Sequence, residues 1–438
     1  IILKVKKKII KDIDAYLNKL FFINRSITGP GNRQTLNELK KIIPIKIKSI
    51  NSSTKIYDWK VPLEWSVKDA YIKNEKGEKI LDFKKNNLHL ASYSEPIKKS
   101  LILWKKLKSH LIYSNKNKKY IPYRTLYYKK DWAFCCNYNQ YQKLKKSKKL
   151  EIFIDSKFYK GKLNYGEYLL KGKSKKEILI STYICHPSMA NDNLSGIILT
   201  SFLLKKLLKK KDLKWSYRII FIPETIGSIA YLKINEKKFD NISCGLVISC
   251  VGGPGKLYLK ESWNRNHFIN QLAHSSLRRF DKKYILNKFD INGSDERQFS
   301  SIGFRLNTIT ISKDQYYNYK EYHSSADDLN FVSANNIYKT LKIYEELINK
   351  IEKKNIYENK IKFGEPMLSK YNLYPKIGGT IVPNKKYTQL DLILWILHYL
   401  DGTKTNEYVA NCLGVKTEII NNLSHKLEKK GILKKINK

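Results

Sequence analysis

The chain has 438 residues, 42% of them hydrophobic, which is typical of a soluble globular protein with two or three domains. Its first ten residues are too short and too charged for a signal peptide, and no apolar run reaches the length of a membrane span, so we expect a cytoplasmic protein without a membrane partner. The formal charge of +45 would suit binding to a nucleic acid. The positive residues are nearly all lysine, however, and asparagine and isoleucine are abundant as well. This composition favours an AT-rich coding bias over selection for an anionic partner.

Residues 10–50 have the pattern of a helix, a polar glycine-rich loop at 25–31 and a second helix. The loop carries Arg25, one of few arginines in the chain. Two interpretations of Arg25 remain open: contact with an anion or a structural carboxylate, or a solvated loop side chain.

Residues 55–150 consist of short alternating segments between turn signals, which predicts a β-rich domain inserted near the start of the core. Its aromatic side chains could line a substrate wall, although at strand spacing they more often form a core. They are Trp59, Trp65, Tyr123, Tyr127, Tyr128, Trp132 and Phe134. The six cysteines of the chain form no CxxC pair, which predicts reduced, mostly buried thiols.

Residues 150–355 change to alternating strands and helices. Strands are predicted at 178–184, 217–222, 245–250 and 305–311, and helices at 194–210, 226–233, 264–279 and 333–352. This alternation predicts an α/β fold with a mostly parallel sheet, helices on both faces, and a site at the carboxyl ends of the strands. The core would comprise residues 1–54 and 151–360.

A Gly/Pro-rich stretch at 361–386 is predicted to be a linker. Residues 387–438 have three helical patterns and a short strand, the layout of a winged helix-turn-helix. Its third helix could read DNA through Asn421, Asn422, Ser424 and His425, but it offers no arginine, so we favour a packing or dimer role. Nucleic acid therefore remains an open but not favoured partner, and a homo-oligomer remains open.

His186 and Asp192 follow the predicted strand at 178–184, and a helical pattern begins at residue 194. A histidine at a strand end and an aspartate before a helix form a typical place for a metal site. The alternative is an ordinary capped helix with a hydrogen-bonded core histidine.

Glu224 follows the predicted strand at 217–222, where a carboxylate is well placed as a general base, or alternatively complements a helix N-terminus. Asp295 and Glu296 lie at a later helix start, where capping explains them as well as function does. His323 lies in an irregular polar segment, and Asp327 could orient its ring. Two histidines, an aspartate and a glutamate at strand ends suit a zinc hydrolase, in which the metal lowers the pKa of a bound water and the glutamate removes its proton.

At these residues the sequence resembles the M28-type zinc aminopeptidases. It most resembles a bacterial branch (DUF4910-like) with an inserted β domain and a C-terminal winged helix, often named with polysaccharide biosynthesis. The matching stretches span almost the whole chain; they are NRSITGPG, DWKVPLEW, IPYRTLYY, NYGEYLLKG, ICHPSMANDNLSG, FIPETIGS, GSDERQF, YHSSADDL and GEPMLSKYNLYP.

The resemblance implies that His186 and His323 are zinc ligands and that Asp192 is the carboxylate that bridges metals in two-zinc relatives. Glu224 falls where those relatives have a pair of glutamates, but Thr225 follows it here. The strand where another acidic ligand is usual ends in residues 247–253 without a carboxylate. One zinc per chain with Glu224 as base is therefore preferred, and two zincs would require Asp295 or Glu296.

We expect an aminopeptidase-like metallohydrolase of amide bonds, acting on peptides or small amides. One alternative is a deacylase of N-acylated sugars or small amides. Another is a binding or regulatory protein that uses its winged helix on DNA. Arg25, Asp295, Glu296 and Asp327 are the further candidates for substrate contact or for support of the site.

Overall fold

A computed structural model describes residues 2–127, 129–374 and 387–436 of the chain. None of the helices in these ranges is both long and apolar enough to cross a membrane. The α-helices, in chain order, are α1 Ile2–Phe21, α2 Pro30–Lys40, α3 Trp104–Leu107, α4 Tyr138–Lys146, α5 Gly196–Leu207, α6 Ile226–Asn235, α7 Phe268–Phe280, α8 Glu296–Phe299, α9 Ala334–Lys353, α10 Gln389–Tyr399, α11 Asn406–Leu413 and α12 Thr417–Lys429.

The strands, in chain order, are β1 Lys46–Asn51, β2 Lys55–Ile56, β3 Trp59–Lys60, β4 Glu64–Lys73, β5 Lys79–Asp82, β6 Ile97–Ile102, β7 Leu111–Ile112, β8 Phe134–Cys135, β9 Leu150–Tyr159, β10 Lys162–Leu170, β11 Glu177–Tyr183, β12 Ser216–Ile222, β13 Ile242–Val247, β14 Leu257–Lys260, β15 Ile285–Asn287, β16 Thr308–Lys313, β17 Ile356–Asn359, β18 Asp401–Thr405 and β19 Leu433–Lys435.

The largest sheet has the strand order β1-β10-β12-β11-β13-β16-β14-β15. Its four central strands, β12, β11, β13 and β16, are parallel to one another, whereas β10 and β14 join them antiparallel. Every residue of β11 and β12 is buried, as expected for strands covered on both faces. The predicted α/β fold is therefore confirmed, with antiparallel pairs added outside the parallel centre.

Successive side chains of β11 pack into two different cores because they point to opposite faces of the sheet. Ile178 and Ile180 join helices α1, α2, α5, α7 and α9 in one core. Leu179 joins the other core with α6 and the strands of the β-rich region. The sheet is thus held between a helical layer and a mixed layer, which fixes the positions of its strand ends.

Helix α9 shows how the sequence forms the helical layer. Its N-terminus is capped by Ser333, whose side chain accepts a hydrogen bond from the backbone N–H of Asn336. Apolar residues spaced three and four apart form one buried face, which includes Ile337, Leu341 and Ile348. Each such side chain contributes about 1.5–3 kcal/mol on full burial, so this face outweighs the weak intrinsic stability of an isolated helix.

The β-rich region contains a sheet of order β5-β4-β9-β6, and β9 continues past residue 150 before the chain enters β10 of the large sheet. Trp65 and Phe134 are buried in its core, whereas Tyr123 lies beside the candidate site described below. Tyr128 lies outside the described residues. The core role is thus observed for Trp65 and Phe134, whereas a substrate wall formed by the aromatics stays a prediction.

A smaller sheet pairs β17 with both β18 and β19, so residues before the predicted linker contribute a strand to the C-terminal unit. Leu368 and Leu373, from the described part of that linker, pack into the same core as α10, α11 and α12. The rest of the predicted linker, 375–386, lies outside the described residues. The predicted division into domains remains a prediction.

Candidate metal and catalytic site

The pairing of β11 with β12 places His186 beside Glu224. Tyr183 pairs with Ile222 at the carboxyl ends of these parallel strands. The chain reaches His186 three residues past Tyr183, and Glu224 two residues past Ile222. His186 Nε2 consequently lies 3.9 Å from Glu224 Oε2.

Asp192 lies in the helical turn Ala190–Ser195 between β11 and α5, and its backbone is held by Asp327. The Asp327 carboxylate accepts hydrogen bonds from the backbone N–H of Asn191 at 2.5 Å and of Asp192 at 2.9 Å. Asp327 was expected to orient the ring of His323. In the structure the Asp327 carboxylate supports the Asp192 turn instead, because the buried turn packs against the loop that follows His323.

His323 lies in the loop after β16, and its ring faces both the cluster and the β-rich region. The Tyr322 ring stacks on it at a centroid distance of 4.0 Å. The Tyr123 ring contacts both histidines, at 5.1 Å from His186 and 5.2 Å from His323. The backbone N–H of Tyr123 also donates to the His323 carbonyl at 2.8 Å, so the β-rich region fixes this loop directly.

The side chains of His186, Asp192 and His323 bring one nitrogen or oxygen each to within 4.8 Å of one another. His323 Nε2 and Asp192 Oδ2 are 2.9 Å apart, yet both are buried atoms without a hydrogen-bond partner among the described residues. Tetrahedral zinc with ligands at about 2.0–2.2 Å would separate them by roughly 3.3–3.5 Å. The donor set and its unsatisfied atoms therefore fit a zinc ion. The alternative in which Asp192 caps a helix is not supported, since neither the turn Ala190–Ser195 nor α5 has a side-chain cap hydrogen bond.

The charges of the cluster suit a metal. Burial lowers the pKa of His186 to about 4, so its imidazole is neutral at neutral pH, the form that binds a metal. Burial opposes ionisation of Asp192, but His186, His323 and the Tyr183 hydroxyl lower the pKa of Asp192 to about 2. The side chain of Asp192 is therefore an anion beside the neutral imidazole of His186.

Glu224 has the opposite electrostatic environment. Desolvation, followed by the negative charges of Asp295 and Asp192, raises the pKa of Glu224 well above its usual range. Burial likewise raises the pKa of Asp295 to about 7, although its carboxylate accepts a hydrogen bond from the Thr225 N–H at 2.8 Å. Glu224 keeps a quarter of its side chain exposed, so it combines a raised pKa with contact to solvent.

Glu296 is fully buried, and its carboxylate is among the groups that raise the pKa of Glu224. Its side chain accepts hydrogen bonds from the Thr310 hydroxyl and from the backbone N–H of Ser294. Full burial leaves Glu296 no exposed surface for a substrate, whereas its role in supporting the site stays a prediction. Asp295, with one buried oxygen lacking a partner, stays next to Glu224.

Arg25 is not a solvated side chain, and it is not paired with a carboxylate among the described residues; contact with an anion stays a prediction, since its buried Nη2 has no partner there. It is 1% exposed, and its guanidinium donates to the carbonyls of His186 at 2.9 Å and Leu20 at 2.7 Å. Arg25 thus fixes the backbone of His186. It reaches that position because residues 25–31 fold under the strand end.

Three residues beside the cluster were not predicted as part of it: Tyr123, Tyr183 and Cys185. The Tyr183 hydroxyl donates to Asp192 Oδ1, and Cys185 Sγ lies 3.5 Å from His186 Nδ1. The adjacency of Cys185 to His186 was a usable signal. Tyr123 comes from a different sequence region, and no spacing rule connects it to either histidine.

The winged helix offers less polar surface on α12 than the sequence suggested. Asn421 accepts hydrogen bonds from Asn355 at 3.3 Å and Asn406 at 2.9 Å, and Ser424 is buried. Asn422 and His425 remain exposed. Two of the four side chains expected to read bases are therefore turned into the protein.

Comparisons with known proteins agree with this fold. Residues 14–354 match the model of a domain of unknown function, DUF4910, and residues 355–435 match a winged helix-turn-helix family. A protein of Clostridium acetobutylicum named "putative polysaccharide biosynthesis protein with aminopeptidase-like domain" is 42% identical over 392 residues, which cover 89% of this chain and 88% of that protein.

Two solved structures extend the comparison. The crystal structure of a "putative peptidase" from Clostridium acetobutylicum has a TM-score of 0.81 and 38% identity, with 99% of each chain covered. The zinc aminopeptidase BSAP from Bacillus subtilis has a TM-score of 0.57 at 14% identity, covering 78% of this chain and 94% of that one. At that identity the likeness shows the fold alone, which is aminopeptidase-like.

Proposed function

The chain belongs to the DUF4910 family and carries an aminopeptidase-like fold, and on this basis we propose that it is a zinc-dependent hydrolase of amide bonds. The observation that carries the proposal is the cluster of His186, Asp192 and His323 facing Glu224 across the ends of β11 and β12. We assign the three clustered side chains as ligands of one zinc per chain and Glu224 as the general base.

Glu224 removes a proton from the attacking water in this proposal. The water oxygen forms a bond to the carbonyl carbon of the amide, the C–N bond breaks, and the proton passes from Glu224 to the departing nitrogen. Bound zinc supplies Lewis-acid chemistry, since it lowers the pKa of a water and polarises a carbonyl. The raised pKa of Glu224 supports this role, because a base must hold the proton until the nitrogen leaves.

The buried residues around the cluster have supporting roles. Asp327 holds the Asp192 backbone and Arg25 holds the His186 carbonyl, so both ligand backbones are fixed by buried polar side chains with limited freedom. Tyr183 fixes one oxygen of Asp192 and leaves the other, Oδ2, for the metal. Such outer contacts orient ligands and tune a metal site.

A deacylase of N-acylated sugars remains a second candidate. It uses the same cluster and the same attack on an amide carbon, and the name of the Clostridium acetobutylicum relative associates that protein with polysaccharide biosynthesis. A non-catalytic DNA-binding role is a third candidate, favoured by the winged-helix match. Salt-dependent retention on DNA by protein that takes up no metal would support it.

The first test is the zinc content of full-length protein purified without chelator, compared with His186→Ala and His323→Ala. His398→Ala, on α10 of the C-terminal unit, is the matched control. We expect about one zinc per chain in the wild type and the control, and loss in both site variants. Zinc-loaded protein is then screened on aminoacyl and N-acyl amides. A wild type that binds no zinc when zinc is offered would contradict the proposal.

A further inference from the structure

A pocket of about 250 Å³ lies beside His323, between the β-rich region and the loop that carries this histidine. Backbone hydrogen bonds join its two walls: Tyr123 N–H donates to the His323 carbonyl, and Ser325 N–H donates to the Ile121 carbonyl, both at 2.8 Å. The Asn117 side chain also donates to the Lys320 carbonyl at 2.7 Å. The pocket is therefore held in a fixed position relative to the cluster.

Arg124 gives this pocket its charge, and we call it the Arg124 pocket. Among its lining residues, which all lie in the described ranges, there is no aspartate or glutamate. Arg124 Nη1 donates to the Tyr123 carbonyl at 2.7 Å, which fixes one side of the guanidinium. The side chain is otherwise exposed, so most of its five N–H donors can reach a ligand.

Tyrosines form the remaining wall of the Arg124 pocket. Tyr322 stacks on His323, and Tyr317 packs edge-on against Tyr322 at a centroid distance of 5.1 Å. Tyr120 lies on the opposite wall. Such rings give flat apolar surfaces with a hydroxyl at one end, which suit a short carbon skeleton ending in a polar group.

We propose that the Arg124 pocket binds a free carboxylate carried next to the scissile amide, so the preferred substrates are dipeptides and N-acylamino acids. This inference rests on the proposed hydrolase function. His323 belongs both to the pocket lining and to the cluster, and on this basis we place the group that adjoins the scissile amide in the pocket. A volume of about 250 Å³ limits that group to a short one.

The single arginine favours a carboxylate over a phosphate. A guanidinium matches a carboxylate with two parallel hydrogen bonds and one balancing charge. A phosphate carries up to two charges at neutral pH and usually needs further cations, whereas Arg124 is the one permanently charged residue that lines the pocket in the described ranges. The neutral hydroxyl and amide groups around Arg124 are consistent with a singly charged ligand.

The decisive experiment compares matched ligands and matched variants of the full chain. Binding of N-acetylglycine and of N-acetylglycinamide is measured by calorimetry on zinc-loaded protein. Hydrolysis of Ala-Ala and of Ala-Ala-amide is measured in parallel. Arg124→Met removes the positive charge but keeps an unbranched side chain. Arg124→Lys keeps the charge but cannot make two parallel hydrogen bonds to a carboxylate. Lys129→Met removes an exposed cation outside the pocket and is the control.

We expect wild type and Lys129→Met to favour each free acid over its amide by about tenfold or more, mainly through KM for hydrolysis. Arg124→Met should remove that preference because the free acids lose more than the amides do, and Arg124→Lys should restore part of it. Equal affinity of the wild type for acid and amide, or an equal loss on both in Arg124→Met, would overturn the proposal. Selective binding of the free acid without hydrolysis of any substrate would support the carboxylate pocket and contradict the hydrolase function. Failure of the pocket proposal can therefore be distinguished from failure of the proposed function.

Discussion

His323 Nε2 and Asp192 Oδ2 lie 2.9 Å apart, but the contact does not have the geometry of a hydrogen bond. Both atoms are buried, and a buried polar atom without a partner costs about 1–3 kcal/mol. A cation bound between them and His186 would satisfy both atoms at once. This relationship, more than the presence of two histidines, supports the proposed metal site.

Asp192→Asn should weaken zinc binding by about a hundredfold or more, because it removes the one anionic ligand of the proposed site. Loss of a residue that only orients a ligand weakens metal binding about 10–100-fold, and loss of a ligand should weaken it more. Equilibrium dialysis against a zinc buffer measures the effect. The exposed Asp58→Asn is the matched control and should keep wild-type affinity. Unchanged affinity in Asp192→Asn would exclude Asp192 as a ligand.

Glu224→Gln should keep zinc and lower the hydrolysis rate by about 10²–10⁴-fold, since the amide cannot accept the proton from water. Zinc content and kcat are measured on the same preparation, with the exposed Glu236→Gln as control. Cys185, His186 and Glu224 form a second group that could hold a metal. Loss of zinc in Glu224→Gln would therefore reassign Glu224 from base to ligand.

Asp327→Asn should weaken zinc binding about 10–100-fold, because one amide NH₂ would replace an oxygen that accepts a backbone N–H of the Asp192 turn. The free energy of unfolding should also fall by about 1–3 kcal/mol. Asp328→Asn is a close control, since Asp328 also accepts two backbone N–H groups, those of Asn330 and Phe331. Equal zinc affinity in the two variants would refute a supporting role for Asp327.

Glu167 should make stability depend on pH in the acid range. Its carboxylate is buried, which opposes ionisation, but Lys48, Tyr231 and Arg218 lower its pKa below the usual value. A carboxyl whose pKa is lower in the folded state contributes stability above its unfolded pKa of about 4.3 and loses it as the pH falls through the folded pKa.

Glu167→Gln should therefore lower the free energy of unfolding by about 1–3 kcal/mol at pH 7, because Arg218 loses one of its two carboxylate partners. The difference from wild type should shrink as the pH falls below about 4. Urea unfolding at pH 7 and pH 3 measures both values, with the exposed Glu75→Gln as control. A difference that is independent of pH would show that Glu167 acts by packing alone.

Local patterns predicted the sheet centre because its strands are apolar runs and its helices have a regular apolar face. The same patterns placed His186 and Glu224 at strand ends, and parallel strand ends necessarily share one edge of a sheet. The added strands β10 and β14 were not predicted. Strands β10 and β14 pair antiparallel with the outer strands of the parallel centre. Which edge of the sheet is free for such pairing depends on the rest of the fold, and no local pattern contains that information.

The neighbours of the cluster were the least predictable part. Arg25 was expected at the surface or on an anion, because a polar loop gives no sign that a strand end will fold over it. Asp327 was expected to hold a ring and instead holds a backbone turn. In both cases the contact joins segments more than 100 residues apart.

The sequence by itself determined the chemistry available to this protein: an α/β core in which His186, Asp192 and Glu224 lie next to recognisable apolar runs and His323 lies in a polar segment after the last of the predicted strands. The tertiary structure decided what those side chains meet. It placed Tyr123 against His323 and Arg124 in a pocket lining shared with His323, buried Glu296 against Thr310, and left Asp192 Oδ2 and His323 Nε2 2.9 Å apart without a hydrogen-bond partner among the described residues. Secondary structure follows from local periodicity, whereas these contacts follow from the packing of distant segments, which local periodicity does not encode.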